Sequence, residues 1–259
     1  MATSRGSVII RAMSLMSYDA LIASLRFHRE ALVFQPDWTI IADARAVLAG
    51  RRNVYWVIGG AAAGKSTVCR VIAARSGLPI YDMDVHIYGT YGPRYTSQRH
   101  PANTAWLAAE NPLAWALNLT GESFDAFNRA TTAEYLDLLA DDLRNWSPDT
   151  PVLIDGGITH PSVVVQVLAA RQMVCLATSA EERVQRWETA EEREVMREWI
   201  RALPEPEAMW RRFLAHDAVI AATLERESRA HQIPVIVRGP HDSVDGLAIQ
   251  VAAQLGCAV

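Results

Sequence analysis

A segment of nine residues that is rich in glycine and alanine lies between two stretches with different structural preferences. It reads Gly59-Gly60-Ala61-Ala62-Ala63-Gly64-Lys65-Ser66-Thr67. The apolar run VYWVI at 54–58 before it predicts a buried strand, and the stretch TVCRVIAAR favours a helix directly after it. The spacing G-x-x-x-x-G-K-S between a strand and a helix is that of a Walker A motif. The segment therefore predicts a P-loop, which binds the phosphates of a nucleotide.

Each part of this loop has an expected role in holding a nucleoside triphosphate. The glycines allow the backbone N–H groups to close around the phosphates, and the following helix adds the positive end of its dipole. We expect Lys65 to reach the β- and γ-phosphates, Ser66 to bind Mg²⁺ through its hydroxyl and Thr67 to reach the α-phosphate. No N/T-K-x-D sequence that would select guanine occurs in the chain. The expected ligand is therefore ATP with Mg²⁺.

Short apolar runs alternate with longer amphipathic stretches after the loop. Strands are predicted at 54–58, 79–82, 151–155, 173–177 and 233–237. Single helices are predicted at 64–76, 161–171 and 243–255, and several helices from 179 to 231. This alternation predicts an α/β fold with a parallel five-stranded sheet and helices on both faces, as in the three-layer fold of P-loop NTPases. Residues 85–148 lack strand signals and are expected to form a helical insertion.

The chain is expected to divide near residue 53. Residues 1–52 predict a helical N-terminal extension, with one helix at 14–34 and a shorter one at 43–49 that Gly50 ends. Residues 53–259 contain the alternation of strands and helices and are expected to form the P-loop domain.

The composition argues against several classes of function. The chain of 259 residues has a net charge of −4 and a pI near 6.0, without a run of basic residues that would bind nucleic acid. No apolar run reaches the roughly 18 residues of a membrane span, and no signal peptide is recognised, so we expect a cytoplasmic protein. The widely spaced Cys69, Cys175 and Cys257 indicate neither a disulfide framework nor a zinc site. Nothing in the sequence indicates the oligomeric state.

Acidic residues follow the second and third predicted strands. Asp82 and Asp84 close the run IYDMD, where alternation along a strand would direct both to one side. Asp155 closes VLID before Gly156 and Gly157, as in a Walker B element. Carboxylates at the ends of parallel strands line the ligand crevice, where one can orient Mg²⁺ and another can accept a proton from a hydroxyl. The alternatives are that Asp82 or Asp84 caps the next helix and that Asp155 begins a tight turn.

A strongly charged segment follows the fourth predicted strand. It contains Arg183, Arg186, Arg193 and Arg197. Such runs are usually solvated helix faces with ion pairs between neighbouring turns, which is the interpretation for most of these residues. One or two of the arginines could instead fold over the phosphates and stabilise the charge of phosphoryl transfer. We interpret His160, which precedes the helix predicted at 161–171, as a capping or surface residue.

These motifs resemble the shikimate kinase, gluconate kinase and nucleoside monophosphate kinase group of P-loop phosphotransferases over about residues 53–255. Shikimate kinase is the most similar of the three. The segments that resemble it are LPIYDMDVHI, Gly121-Glu122-Ser123-Phe124 in the position of a G-E-x-x-F motif, VLIDGGITHP and CLATSAEERVQRW.

The resemblance implies roles for the matching residues. Asp82 would lie near Mg²⁺, and Asp84 would bind the acceptor hydroxyl and take its proton. Gly156 and Gly157 would face the substrate. With the loop residues, the expected metal ligands are Ser66, Asp82 and Asp155.

The resemblance also implies a lid and an acceptor-binding region. Arg186 would contact the adenine, and Arg193 would be the arginine of a mobile lid at about 186–204. The insertion at about 85–148 would bind the acceptor. The expected catalytic residues are Lys65, Asp84 and Arg193.

Two departures from the family concern the substrate site. Asp125 follows Phe124, where the family has an arginine, and Asp155 replaces the first glycine of a triple glycine. The site thus has one cation fewer and one acid more, which favours a neutral polyol or a cationic acceptor such as an amino alcohol over shikimate. The insertion also contains aromatic residues that form either an acceptor pocket or part of the core, namely Tyr88, Tyr91, Tyr95, Trp106 and Trp115.

The sequence therefore predicts an ATP-dependent phosphotransferase that moves the γ-phosphoryl group to a hydroxyl of a small-molecule acceptor. A nucleoside monophosphate kinase is the first alternative. It would need arginines that hold the monophosphate, and the insertion offers Arg94, Arg99, Arg129 and Arg144. The second alternative is a P-loop ATPase without kinase activity or a nucleotide-sensing regulator.

Overall fold

The five predicted strands form one parallel sheet in the computed structural model, which describes residues 34–239 and 241–257. The strands are β1 (Val54–Gly59), β2 (Ile80–Asp82), β3 (Val152–Asp155), β4 (Met173–Ala177) and β5 (Val235–Val237). They lie in the order β2-β3-β1-β4-β5, and all neighbours are parallel. The predicted α/β class and parallel five-stranded sheet are confirmed.

Helices connect and surround the strands. They are α1 (Trp38–Leu48), α2 (Lys65–Ser76), α3 (Pro101–Leu107), α4 (Pro112–Leu117), α5 (Gly121–Leu143), α6 (Pro161–Val164), α7 (Ala180–Thr189), α8 (Glu194–Arg201), α9 (Pro206–Ala230) and α10 (Val244–Leu255). Short helical turns add Met83–Val85, His86–Thr90, Gly92–Arg94, Ala170–Gln172 and Glu191–Arg193. None of the helices among the described residues is long and apolar enough to span a membrane.

Successive residues of the central strand face two different hydrophobic cores. Trp56 and Ile58 point into a core that includes residues of α1, α5 and α9, whereas Val57 points into a core formed with α2 and α10. This pattern follows from the alternation of side chains along a strand, and burial on both faces explains why the strand sequence is apolar throughout. The sheet therefore has helices on both faces, which is compatible with a three-layer fold.

The described part of the N-terminal extension belongs to the main core. Helix α1 begins after Asp37, whose carboxylate accepts a hydrogen bond of 2.7 Å from the Thr39 N–H. Its buried face, Ile40, Ile41, Ala44 and Leu48, lies in the core that α5 lines. The helix predicted at 43–49 is therefore longer and begins earlier, because Asp37 supplies the cap. The helix predicted at 14–34 lies outside the described residues, apart from its last position.

The insertion is helical, as predicted, and polar residues tie its first half to α5, its longest helix. Arg99 donates two hydrogen bonds of 2.6 Å to the Asp137 carboxylate. The buried Glu134 accepts hydrogen bonds from the Ala102 and Asn103 N–H groups at the start of α3. Backbone donors at a helix start need such acceptors, so Glu134 fixes where α3 begins.

Two predicted boundaries were wrong. The helix predicted at 161–171 ends at Val164, where successive β-branched valines disfavour continuation. The strand predicted at 233–237 begins at Val235, since Pro234 has no N–H to donate. The helices predicted from 179 to 231 are α7, α8 and α9, and the last of these begins at Pro206, a residue that favours the first helical turn.

Candidate functional site

The glycine-rich loop leaves the sheet at its central strand. β1 pairs with β3 on one side and with β4 on the other, so the chain order reverses beside it. In parallel α/β sheets such a reversal opens a crevice at the carboxyl ends of the strands. β2 and β3 end at the same edge, with Asp82 paired in register with Asp155. The loop and these two acids thus share the position where ligands bind in this kind of sheet.

Two glycines of the loop have conformations that other residues resist. Gly59 has φ +145°, and a β-carbon on it would lie 2.0 Å from the Leu176 carbonyl oxygen. Gly64 has φ +91° and precedes the first residue of α2. Ala62 also adopts a positive φ of 63°, which is uncommon for alanine. The loop backbone therefore turns sharply around the space above the start of α2, as a phosphate-binding loop requires.

Lys65 is the first residue of α2 and folds back over the loop. Its Nζ donates a hydrogen bond of 2.9 Å to the Gly60 carbonyl oxygen. Ser66 is half-buried next to it, and Thr67 is exposed. Helix α2 has 12 residues and begins directly after the loop, so the positive end of its dipole faces the loop. No side chain caps the helix, which leaves its first backbone N–H groups open to a ligand. An anion above the loop would be within the field of both the helix and the lysine.

Asp155 and Ser66 form the part of the site that suits a metal ion. The Ser66 hydroxyl hydrogen-bonds the Asp155 carboxyl and lowers its pKa, but burial is the larger effect and holds that pKa above its ordinary value. Asp155 Oδ1 is buried and has no hydrogen-bond partner among the described residues. A hydroxyl and a carboxylate are the protein ligands that P-loop proteins give to Mg²⁺, so these two residues fit that ion. No group of three His, Cys, Asp or Glu side chains with metal-binding geometry occurs among the residues that the structure describes.

The second strand ends at Asp82, so the prediction that Asp82 and Asp84 both extend from a strand was wrong. Asp84 lies in the helical turn Met83–Val85, and Asp82 caps this turn by accepting a hydrogen bond of 3.1 Å from the Val85 N–H. The capping alternative is thus observed for Asp82. The cap uses Asp82 Oδ1. Asp82 pairs in register with Asp155, so both residues lie at the same edge of the sheet.

Asp84 nevertheless lies near Lys65, because both side chains face Gly156. A β-carbon on Gly156 would lie 3.3 Å from Lys65 Cε and 3.9 Å from Asp84 Oδ2. Burial by surrounding protein raises the pKa of Asp84, the Lys65 charge opposes the rise, and Asp82 adds to it. The structure therefore brings together a cation, a carboxylate and an open glycine backbone.

The two glycines after β3 face different surroundings. Gly156 has φ +67° and faces Lys65 and Asp84, as described above. Gly157 has φ +77°, and a β-carbon on it would lie 2.1 Å from Met83 Cβ. Met83 is fully buried, so Gly157 gives room to the turn that carries Asp84. Gly156 thus lies beside Lys65 and Asp84, as a residue that faces the substrate would, whereas Met83 fills the space next to Gly157.

The arginines of the charged segment have different environments. Arg193 lies 4.4 Å above the Trp187 ring, and its charge lowers the pKa of Asp84. Arg186 is exposed and lies 3.8 Å from Glu192. Arg197 is buried and donates a hydrogen bond of 2.8 Å to the Trp187 carbonyl oxygen. The solvated-face interpretation describes Arg186, but not Arg193 or Arg197.

Arg183 also departs from the solvated-face interpretation. It is buried, and its Nε lies 2.7 Å from an Asp217 carboxylate oxygen on α9. Arg183 thus joins α7 to α9, while Arg197 joins α8 to α7. Arg193 rests on Trp187, a residue of α7.

Sequence reasoning missed Arg238, which follows β5. Its Nη1 lies 3.7 Å from the position that a β-carbon on Gly64 would occupy, and 3.6 Å from Glu182. Its backbone N–H donates to the Ala177 carbonyl oxygen at 2.8 Å and so continues the pairing of β4 with β5. The available signal was a cation directly after the last strand, since all parallel strands end at one edge of the sheet.

His160 is the N-cap residue of α6, as one interpretation predicted, but its side chain makes no capping hydrogen bond there and is buried, so the interpretation as a surface residue was wrong. Its Nε2 lies 3.2 Å from Asp125 Oδ1, and its Nδ1 lies 3.0 Å from the Thr159 hydroxyl. Asp125 is the acid at the position where the resembling family has an arginine. Asp125 is therefore paired with His160, which follows Gly157 in the sequence.

Comparisons with known proteins give no relative for this arrangement. No family model, no curated protein and no solved structure matches the chain. The function must therefore be inferred from the geometry of the site.

Proposed function

We propose that this protein is an ATP-dependent phosphotransferase of the P-loop NTPase fold, which moves the γ-phosphoryl group of ATP to a hydroxyl of a small molecule. One observation carries the proposal: Lys65 and Asp84 both lie within 4 Å of the position that a β-carbon on Gly156 would occupy, beside a glycine-rich loop at the central strand. A phosphoryl group held by the loop and Lys65 would lie next to a carboxylate that can receive a hydroxyl. Mg²⁺ would be held by Ser66 and Asp155, with Asp82 at the same edge.

Bound ATP with Mg²⁺ would supply the activated phosphoryl group, and the chain's own residues do the rest. The loop and Lys65 hold the phosphates and stabilise the negative charge of the transition state. Asp84 orients the acceptor hydroxyl and takes its proton. A carboxylate with a raised pKa is a better base than an ordinary aspartate, so the desolvated position of Asp84 suits this role.

The segment at 186–204 provides the remaining charge. Arg193 is near enough to Asp84 to lower the pKa of its carboxyl, and it rests on the Trp187 ring. In a closed state its guanidinium would reach the transferring group. Exclusion of water by such closure favours transfer to the acceptor over hydrolysis.

The nucleoside monophosphate kinase alternative has less support. The four arginines of the insertion each lie within 3.8 Å of a carboxylate of this chain, so they have partners already. An ATPase without an acceptor remains the alternative from another class, and it differs in one measurable respect. It would consume ATP at a rate that no hydroxyl compound increases.

The test is transfer of labelled γ-phosphate from ATP to a panel of sugars, nucleosides, amino alcohols and antibiotics. We expect one compound class to become labelled. Lys65→Ala should reduce transfer by roughly 10²–10³-fold, and Asp84→Asn by roughly 10²–10⁴-fold with ATP binding retained. Acceptor-independent hydrolysis of ATP that Asp84→Asn leaves unchanged would favour the ATPase alternative and contradict the proposal.

A further inference from the structure

Tyr88 lies next to Asp84 at the entrance to the proposed acceptor site. The helical turns from Met83 to Thr90 are continuous, so residues 84 and 88 fall on the same side. Tyr88 is 76% exposed. Nearby protein atoms raise the pKa of Tyr88, and Asp84 adds to the rise, which agrees with the two side chains being neighbours. The ring is therefore accessible to a small molecule that approaches Asp84.

Other aromatic residues hold the ring of Tyr88 in place. Trp106 of α3 meets it edge to face, with ring centroids 6.3 Å apart and an interplanar angle of 71°. Burial raises the pKa of Tyr95 and of Tyr135, and the nearby Tyr88 phenol adds to both. Tyr88 is thus the exposed member of an aromatic cluster, and its ring is accessible beside a carboxylate.

The cations of the insertion are all engaged by carboxylates of this chain. Residues 85–148 contain four arginines and no lysine, and the structure describes the whole range. The ion pairs are Arg94 with Asp141 and Asp142, Arg99 with Asp43 and Asp137, Arg129 with Asp125 and Glu227, and Arg144 with Asp141. An acceptor with a phosphate or carboxylate group would have to share one of these arginines with a carboxylate, whose negative charge opposes its binding.

Lys65 and Arg193, the two cations whose charge acts on Asp84, are the ones expected to bind the nucleotide. Lys65 and Arg193 lower the pKa of Asp84, while Asp82 and Asp155 raise it. With ATP bound, Lys65 and Arg193 would be directed at its phosphates. The acceptor side of Asp84 then offers a carboxylate and an aromatic ring, which are the two groups that bind an organic ammonium ion.

We propose that the acceptor is a hydroxyl compound that carries a protonated amine and no anionic group, with its ammonium held against the ring of Tyr88 and beside Asp84. This inference rests on the proposed phosphotransferase function and names the substrate class for the same site. A neutral polyol lacks the cation that these groups recognise, and an acidic sugar or nucleotide adds an anion without a counter-charge.

The amine would also assist the reaction. In transfer, the acceptor oxygen forms a bond to the γ-phosphorus, and the bond from that phosphorus to the bridging oxygen of ADP breaks. The hydroxyl proton passes to Asp84, and ADP leaves with the electron pair. An ammonium ion held beside Asp84 also keeps the hydroxyl of the same compound within reach of this carboxylate.

Binding of two matched series tests the inference. The first is 2-aminoethanol, ethylene glycol and glycolate, and the second is glucosamine, glucose and glucuronate. Each compound is titrated into the protein saturated with Mg²⁺ and a non-hydrolysable ATP analogue, whose own binding is measured first. In at least one series we expect the amine to bind about 3- to 30-fold more tightly than the neutral and anionic members.

Substitutions at Tyr88 assign this preference to the ring. Tyr88→Leu should remove it, and Tyr88→Phe, the matched control that keeps the ring, should retain it. Since Tyr88 is exposed, both variants should fold, which circular dichroism checks.

Three results would overturn the inference: equal or tighter binding of the neutral or anionic member, no binding of any member in either series, or a preference that Tyr88→Leu leaves intact. If the ATP analogue binds in these cases, the acceptor class alone is wrong. If the analogue itself does not bind, the proposed function fails, and the inference falls with it.

Discussion

Gly156 faces Lys65 so closely that a β-carbon on this glycine would lie 3.3 Å from Lys65 Cε. Its φ of +67° adds a second constraint, because alanine in the left-handed region costs about 1–2 kcal/mol. Gly156→Ala should therefore lower the free energy of unfolding by about that amount and displace the lysine, which weakens ATP binding. Denaturant unfolding and calorimetry measure the two effects. Gly50→Ala is the control, since a β-carbon there would meet no atom within 4 Å. Equal behaviour of the two variants would contradict the geometry.

The raised pKa of Asp84 predicts a conflict between activity and stability. Its causes are burial first, with Asp82 and Asp155 adding to it, while Lys65 and Arg193 oppose it. Because the carboxyl ionises more easily in the unfolded chain, the ionised form disfavours folding once the pH exceeds the ordinary value of about 3.9. This effect grows with pH up to the raised pKa and is constant above it.

Asp84→Asn should therefore raise the Tm of the protein without nucleotide by a few degrees near pH 8, and by less near pH 4.5. Thermal unfolding followed by circular dichroism checks this. Asp149→Asn, at an exposed aspartate, is the control and should leave the Tm unchanged. A lower Tm for Asp84→Asn would show that the ionised carboxylate is a net stabilising group.

Arg193 should act on transfer more than on ATP binding. Arg193→Ala removes a cation that would reach the transferring group only in the closed state, so we expect kcat to fall by roughly 10²-fold with a smaller change in ATP affinity. Removal of this charge also raises the pKa of Asp84, so the acid limb of the pH–rate profile should move to higher pH. Arg201→Ala, an exposed arginine of α8, is the control. An unchanged acid limb would show that the Arg193 charge does not act on Asp84.

Arg238 is expected to bind the nucleotide, because its guanidinium lies against the start of α2. Arg238→Ala should weaken ATP binding by about 10- to 100-fold, the range for a hydrogen bond between charged groups. Arg238→Lys should restore part of the affinity, which loss of packing alone would not allow. Titration calorimetry with ATP distinguishes these outcomes. Full affinity of Arg238→Ala for ATP would show that Arg238 serves only its ion pair with Glu182.

The strongly patterned parts of the chain were predictable from sequence. The apolar runs of the buried strands and the glycine spacing of the loop depend on local rules, and the structure has β1 at Val54–Gly59 and α2 at Lys65–Ser76. The long-range features were not. His160 has no local signal of burial, because its partner Asp125 lies 35 residues away in the chain. Arg238 became a candidate only after the strand order placed β5 beside β4.

Asp84 lies near Lys65 of the loop, as the sequence predicts, although the local structure predicted for it was wrong. The sequence rule for strands would direct Asp82 and Asp84 to one side, but the strand ends at Asp82, which caps a helical turn. Asp84 reaches the site because that turn packs against Gly157, where the absence of a side chain leaves room for Met83. This tertiary contact overrides the strand pattern, and only the structure reveals it.

The central claim, that the loop at 59–67 binds ATP with Mg²⁺, can be tested at a single residue because Lys65 is the only lysine in the chain. Protein labelled with nitrogen-15 only in lysine should give one backbone amide signal, at the first residue of α2. We expect ATP with Mg²⁺ to shift this signal until it saturates, whereas adenosine, which has no phosphates, should leave it unmoved. A signal that ATP with Mg²⁺ leaves unmoved at millimolar concentration would contradict the nucleotide site and the proposed function built on it.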